Sequence, residues 1–168
     1  MPIDHTQLFA LGSEREALAM NLDAQREGLI RKIEGLDDAM ARQAPTASSL
    51  SLLGLLKHAV TWERRWFQVI MGGQECPEGW PEVRPEPRDA DMMVDEGDTV
   101  DHWVASYLRQ IEQSRAVVAS FDLDSACTRK DIIECNVRYV MFHMIQETAR
   151  HAGHADIIRE TLDGSTGI

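Results

Sequence analysis

Hydrophobic residues recur along this chain with helical rather than strand periodicity, in four blocks. Across residues 13–36, Leu18, Leu22, Leu29, Ile33 and Leu36 fall at spacings of three, four and seven, and Leu11 extends the stripe upstream. Ser13 followed three residues later by Glu16 has the form of a capping box. Across 49–71 the stripe is Leu52, Leu55, Leu56, Ala59, Trp62, Trp66, Val69 and Ile70, with Thr46, Ser48, Ser49 and Ser51 as N-cap candidates. Gly72-Gly73 ends this block. The third block opens after Asp98, read as its N-cap, and carries Val100, Trp103, Tyr107, Ile111, Val118 and Phe121. The fourth runs between Asn136, an N-cap, and Gly164, a C′ residue, and would form a helix ~40 Å long. There is no alternating strand pattern, internal repeat or low-complexity tract.

Four long amphipathic helices predict an all-α four-helix bundle, a single domain over residues 1–168. One connection is unusual. Between the second and third helices, at about 73–98, lie Pro77, Pro81, Pro85 and Pro87, four of the six prolines. Proline at that density removes amide donors and excludes a helix, so a long loop is expected, a crossover or a lid.

Charge adds a second feature to that loop. The 168 residues carry 17 Lys and Arg against 28 Asp and Glu, a formal −11. Residues 74–98 hold nine acidic and two basic residues and account for −7, leaving −4 on the helical body. Such a chain is a poor partner for a nucleic-acid backbone or an anionic membrane, both of which attract clustered Lys and Arg. The first twelve residues show no basic region followed by an apolar run, and no window approaches the ~18 apolar residues of a span. The expectation is a cytoplasmic protein with free thiols at Cys76, Cys127 and Cys135, whose spacings match no zinc motif.

The fourth block carries the chemistry. Measured around a helix, His143, Glu147, His151 and His154 point at about 0°, 40°, 80° and 20°, on the side read as apolar. Buried polar groups are costly unless satisfied, and a metal ion would satisfy them. Side chains four apart can close on one ion, so His143/Glu147 and Glu147/His151 are candidate pairs, with His151/His154 one turn apart. The stripe therefore offers two ligands, and a third must come from another helix. His58 is the best candidate, with Leu55, Trp62 and Val69 near its own direction on the second helix. Two His and one carboxylate would leave a coordination position for water or substrate. The competing readings are a hydrogen-bonded core His58 and a Glu147 paired with Arg150 or Arg65. His143 reads as structural or supporting. Trp62, Arg64, Arg65 and Trp66 read as core filler or as a site wall, in which Arg65 would hold an anionic substrate. Trp80 is placed to anchor the loop, whereas His5 and His102 belong to no motif.

The segments LLGLLKHAVTWERRWF and ETARHAGHADIIRETLDG resemble the DinB/YfiT-like superfamily, in the branch of mycothiol-dependent maleylpyruvate isomerase and mycothiol transferases. The resemblance spans the chain from the first helix to Gly164. It implies an up-up-down-down bundle with a long crossover and a divalent metal, zinc or nickel. Most relatives supply three histidines, but here Glu147 stands at the first of the last-helix pair, which matches the His-Glu-His set of the isomerase-like branch. By that match His58, Glu147 and His151 are the ligands, and His154 stands beside them without touching the ion. The implied function is an S-transferase or isomerase using a low-molecular-weight thiol, mycothiol or a similar one such as bacillithiol, on a small electrophile, with His154 and Arg65 as helpers. The alternatives are a non-catalytic metal- or small-ligand-binding bundle of the DNA-damage or stress-linked DinB type, and a purely structural bundle. Apolar stripes do not separate core from interface, so a homodimer stays open beside a monomer.

Overall fold

The computed structural model describes residues 12–83 and 90–166. His5, Leu11 and the loop residues Arg84, Pro85, Glu86, Pro87, Arg88 and Asp89 lie outside the described residues. Helix α1 spans Glu14–Arg31 and opens with the expected capping box, the Ser13 side chain accepting from the Glu16 amide while Glu16 accepts from the Ser13 amide. Ile33 and Leu36 lie beyond its end, in the turn that leads to a short helix α2, Asp38–Ala41, which the apolar periodicity did not signal. Asp37 caps it. Helix α3, Leu52–Arg64, is capped by Ser51 and continues as a π-helical stretch, Arg65–Met71. All seven residues of that stretch are buried, more than one face of an α-helix could bury in succession. Helix α4, Val100–Ala119, is capped by Thr99 rather than Asp98. Asp98 instead accepts from the Trp103 indole and pairs with Lys57. Helix α5, Val137–Asp163, has the expected Asn136 cap and a left-handed Gly164 at its end.

The fold is all-α, as expected, and the chain order is corrected. Arg138 bonds Glu14 at one end of α1 and α5, and Arg159 donates to the carbonyls of Lys32 and Glu34 at the other, so these helices run parallel. Lys57 meets Asp98 and Gly72 meets Val117, so α3 and α4 are parallel too. His58 faces His151 and Trp66 faces His143, so α3 and α5 are antiparallel. The order is up-down-down-up, not up-up-down-down. The acidic loop is the crossover that the parallel α3–α4 pair requires.

The core has two apolar clusters. One packs Leu53, Leu55 and Leu56 against Ile33, Tyr107 and Ile158. The other packs Leu22, Phe67, Ile70 and Met71 against Val137 and Val140. Between them runs a polar belt of buried side chains: Arg26, Glu63, Gln110, Ser114 and Thr148. The guanidinium of Arg26 donates to Glu63, which is 0% exposed, and to Asp23, and lies over the Phe67 ring. A buried charge is tolerated only when paired in this way.

Candidate functional site

Helices α3 and α5 cross at His58 and His151, whose ring centroids are 4.7 Å apart at 73°. The His151 side chain is 12% exposed, and both of its ring nitrogens are buried without a hydrogen-bond partner among the described residues. A buried imidazole normally satisfies at least one nitrogen. Burial, with the nearby His58, pushes its pKa down to about 4, so at neutral pH it is an uncharged imidazole with a lone pair to give. Glu147, one turn earlier on α5, is partly exposed. Its Oε2 lies 3.8 Å from His151 Nε2, and its Oε1 accepts from Arg150 at 2.5 Å. The pairing with Arg150 weighed from the sequence is thus present, and it leaves the second oxygen on the His151 side.

The three expected ligands therefore come together, as neighbours rather than as a closed cage. Among the described residues no three of His, Cys, Asp or Glu converge tightly enough to form a ready metal site. The donor set nevertheless fits a divalent cation. Two imidazoles and a carboxylate suit zinc or nickel, and the buried nitrogens of His151 have no hydrogen-bond partner among the described residues.

The site opens into a cavity of about 380 Å³ lined by Leu29, His58, Ala59, Trp62, Trp66, His143, Met144, Glu147, Thr148 and His151. Its walls are chiefly apolar, and among the described residues no Lys or Arg lines it. His143 stands at the rim against Trp66, with centroids 4.2 Å apart, and burial lowers its pKa.

Two expected helpers are placed elsewhere. Arg65 does not line the cavity. It is buried over the rings of Trp62 and Trp80, 4.8 and 5.2 Å from their centroids, and is used to hold the loop against α3. Trp80 meets Trp62 edge-on at 6.1 Å, so it does anchor the loop. His154 is exposed, 5.9 Å from His151, and lines a different groove with Arg42 and Ser48. Its direction on α5 lies outside the buried stripe.

One residue escaped the sequence reading. Asp91, in a 3₁₀ turn at Ala90–Met92, projects from the acidic loop onto His58. Its Oδ2 lies 3.1 Å from His58 Nδ1, within hydrogen-bond distance, and accepts from Trp62 Nε1 at 2.7 Å, with Arg65 at 3.8 Å. Burial alone would raise the Asp91 carboxyl. The bonds with His58 and Trp62 and the charge of Arg65 outweigh it and hold the group below its usual range. Nothing in the sequence distinguishes Asp91 from its eight acidic neighbours in the loop.

Comparison with known proteins agrees with the fold. A conserved protein from Enterococcus faecalis, known from its crystal structure, superposes with a TM-score of 0.64 at 12% identity, over 92% of this chain and 99% of that one. That likeness establishes the architecture alone. No curated protein sequence matches the chain. The family model described as mycothiol-S-transferase matches residues 17–164, from the first turn of α1 to the glycine that ends α5. The chain therefore belongs to the mycothiol S-transferase family, within the DinB/YfiT-like superfamily.

Proposed function

We propose that this protein is a divalent-metal-dependent S-transferase that joins a low-molecular-weight thiol of the mycothiol type to a small electrophile. The observation that carries the reading is His151, an uncharged imidazole with both nitrogens buried and unpartnered, against His58 and at the mouth of an apolar cavity. His58, Glu147 and His151 would hold the ion. A divalent cation bound there lowers the pKa of a thiol at the site, so the nucleophile is available as thiolate at neutral pH.

The chain's own residues supply the rest. Trp62, Trp66, Leu29 and Met144 form walls that exclude water and favour an electrophile with an apolar body. Arg65, held over Trp62 and Trp80 outside this lining, is not placed to hold the anionic substrate that it had implied. Thr148 and His143 are polar groups at the cavity wall able to orient such a compound.

The test is consumption of mycothiol with an uncharged electrophile by zinc- or nickel-loaded protein, compared with chelator-treated protein and His151→Ala. Loss of thiol that requires both the metal and His151 is expected. Thiol loss that is equal with and without metal contradicts the reading. Stoichiometric metal without turnover on any thiol and electrophile pair would assign a non-catalytic binding bundle instead.

A further inference from the structure

We propose that Asp91, delivered by the acidic loop, is a positioning residue for His58: it keeps the imidazole proton on Nδ1 and leaves the Nε2 lone pair free on a ring whose centroid stands 4.7 Å from that of His151. The geometry leaves little choice. Trp62 Nε1 and the Arg65 guanidinium have only donors to offer, and both approach the same Asp91 oxygen that His58 Nδ1 meets at 3.1 Å. The Asp91 side chain is 9% exposed, so water competes poorly for that oxygen. An oxygen surrounded by donors stays a carboxylate, a carboxylate only accepts, and the proton between it and His58 must then sit on Nδ1. A carboxylate behind an imidazole is a general device for fixing the ring and raising its basicity toward whatever it binds through its other nitrogen.

A second feature shows that the loop is built to reach this position. Gly54 lies one helical turn before His58, inside α3, where glycine costs about 1 kcal/mol relative to alanine. A Cβ at residue 54 would lie 2.3 Å from the carbonyl oxygen of Met92, the residue after Asp91. The missing side chain lets the 3₁₀ turn rest directly on α3, one turn from the imidazole. On the far limb of the loop, Trp80 is held against Trp62 and Arg65. The two limbs thus converge on the group of residues that surrounds Asp91.

Histidine nitrogen NMR on metal-free, chelator-treated protein near neutral pH tests the proposal directly. Wild-type His58 is expected as the Nδ1–H tautomer. In Asp91→Ala it should revert to the Nε2–H form that an unrestrained imidazole favours. Asp91→Asn keeps an acceptor oxygen and should restore Nδ1–H. Gly54→Ala leaves Asp91 in the sequence but pushes the Met92 carbonyl away, and should lose the tautomer while helix propensity rises. Cobalt(II) titration gives a second readout, with affinity expected to fall roughly 10- to 100-fold in Asp91→Ala.

Wild-type His58 protonated on Nε2, or an Nδ1–H tautomer that persists in Asp91→Ala, would overturn the inference. So would cobalt affinity unchanged in that variant. Only the cobalt readout rests on the proposed metal site. Wild-type protein that binds no cobalt, yet shows the Asp91-dependent tautomer, would sink the metal reading and leave this inference standing.

Discussion

At the scale of single residues, His151 is the most informative side chain. Its folded pKa of about 4 lies below the ordinary 6.5, so between those values the unfolded chain binds the proton and the folded chain does not. The neutral imidazole's contribution is fully present above about 6.5 and is lost as pH falls toward 4, an effect of about 3 kcal/mol. Urea unfolding of metal-free wild type and His151→Gln at both ends of that window should show the extra loss in wild type only. An equal pH dependence in the two proteins would contradict the assignment. Glu63 gives a second residue-scale prediction. Glu63→Ala leaves the buried Arg26 guanidinium with the partly exposed Asp23 as its remaining carboxylate and should cost about 3 kcal/mol by denaturant midpoint. Neither residue of this pair was legible as such in the sequence, because Arg26 and Glu63 each sit on a helix whose stripe was read from its apolar members.

At the scale of elements, the helices were readable because their caps and apolar periodicity agree with tertiary packing. The Ser13, Asn136 and Gly164 boundaries all appear in the structure. The misreadings have specific causes. On α5 the buried residues Val140, Met144, Thr148, Ala155 and Ile158 centre near about 100° from His143, when each residue advances by about 100°. His151, at about 80°, falls inside that stripe, Glu147 at its edge and His154 outside it. The sequence reading placed all of these polar residues on the apolar side, although only His151 points well within it, and that drew His154 inward. The π-helical stretch was hidden because its buried run looks in sequence like a continuation of α3. Its exit depends on Gly73, at φ +70, where a Cβ would lie 2.5 Å from Thr128 Cγ2. Gly73→Ala should cost at least about 1–2 kcal/mol in thermal or urea unfolding, from left-handed strain and the clash together. A neutral result would mean that this turn can be remade without glycine.

At the scale of the whole molecule, the net charge of −11 divides between a loop and a body that are electrostatically joined. Among the described residues, Glu78 pairs with Arg64, Glu82 with Arg129, Asp95 and Asp98 with Lys57, and Asp91 reaches His58. The concentration of acid in 74–98 was legible, but its targets were not, because loop contacts follow topology rather than periodicity. Among the described residues no helix is long and apolar enough to cross a membrane. A site assembled from α3 and α5 should couple metal binding to global stability. Zinc or nickel at a hundred times its dissociation constant should stabilise the fold by about 2.7 kcal/mol, read as a shift in unfolding midpoint. An unfolding midpoint indifferent to metal and chelator would point to a structural bundle. The central claim is tested most directly by the metal content of purified, metal-loaded and desalted protein, wild type beside His151→Ala. The account predicts one divalent ion per chain in wild type and its loss in the variant. Wild type that retains no metal, or a variant that retains as much, would contradict it.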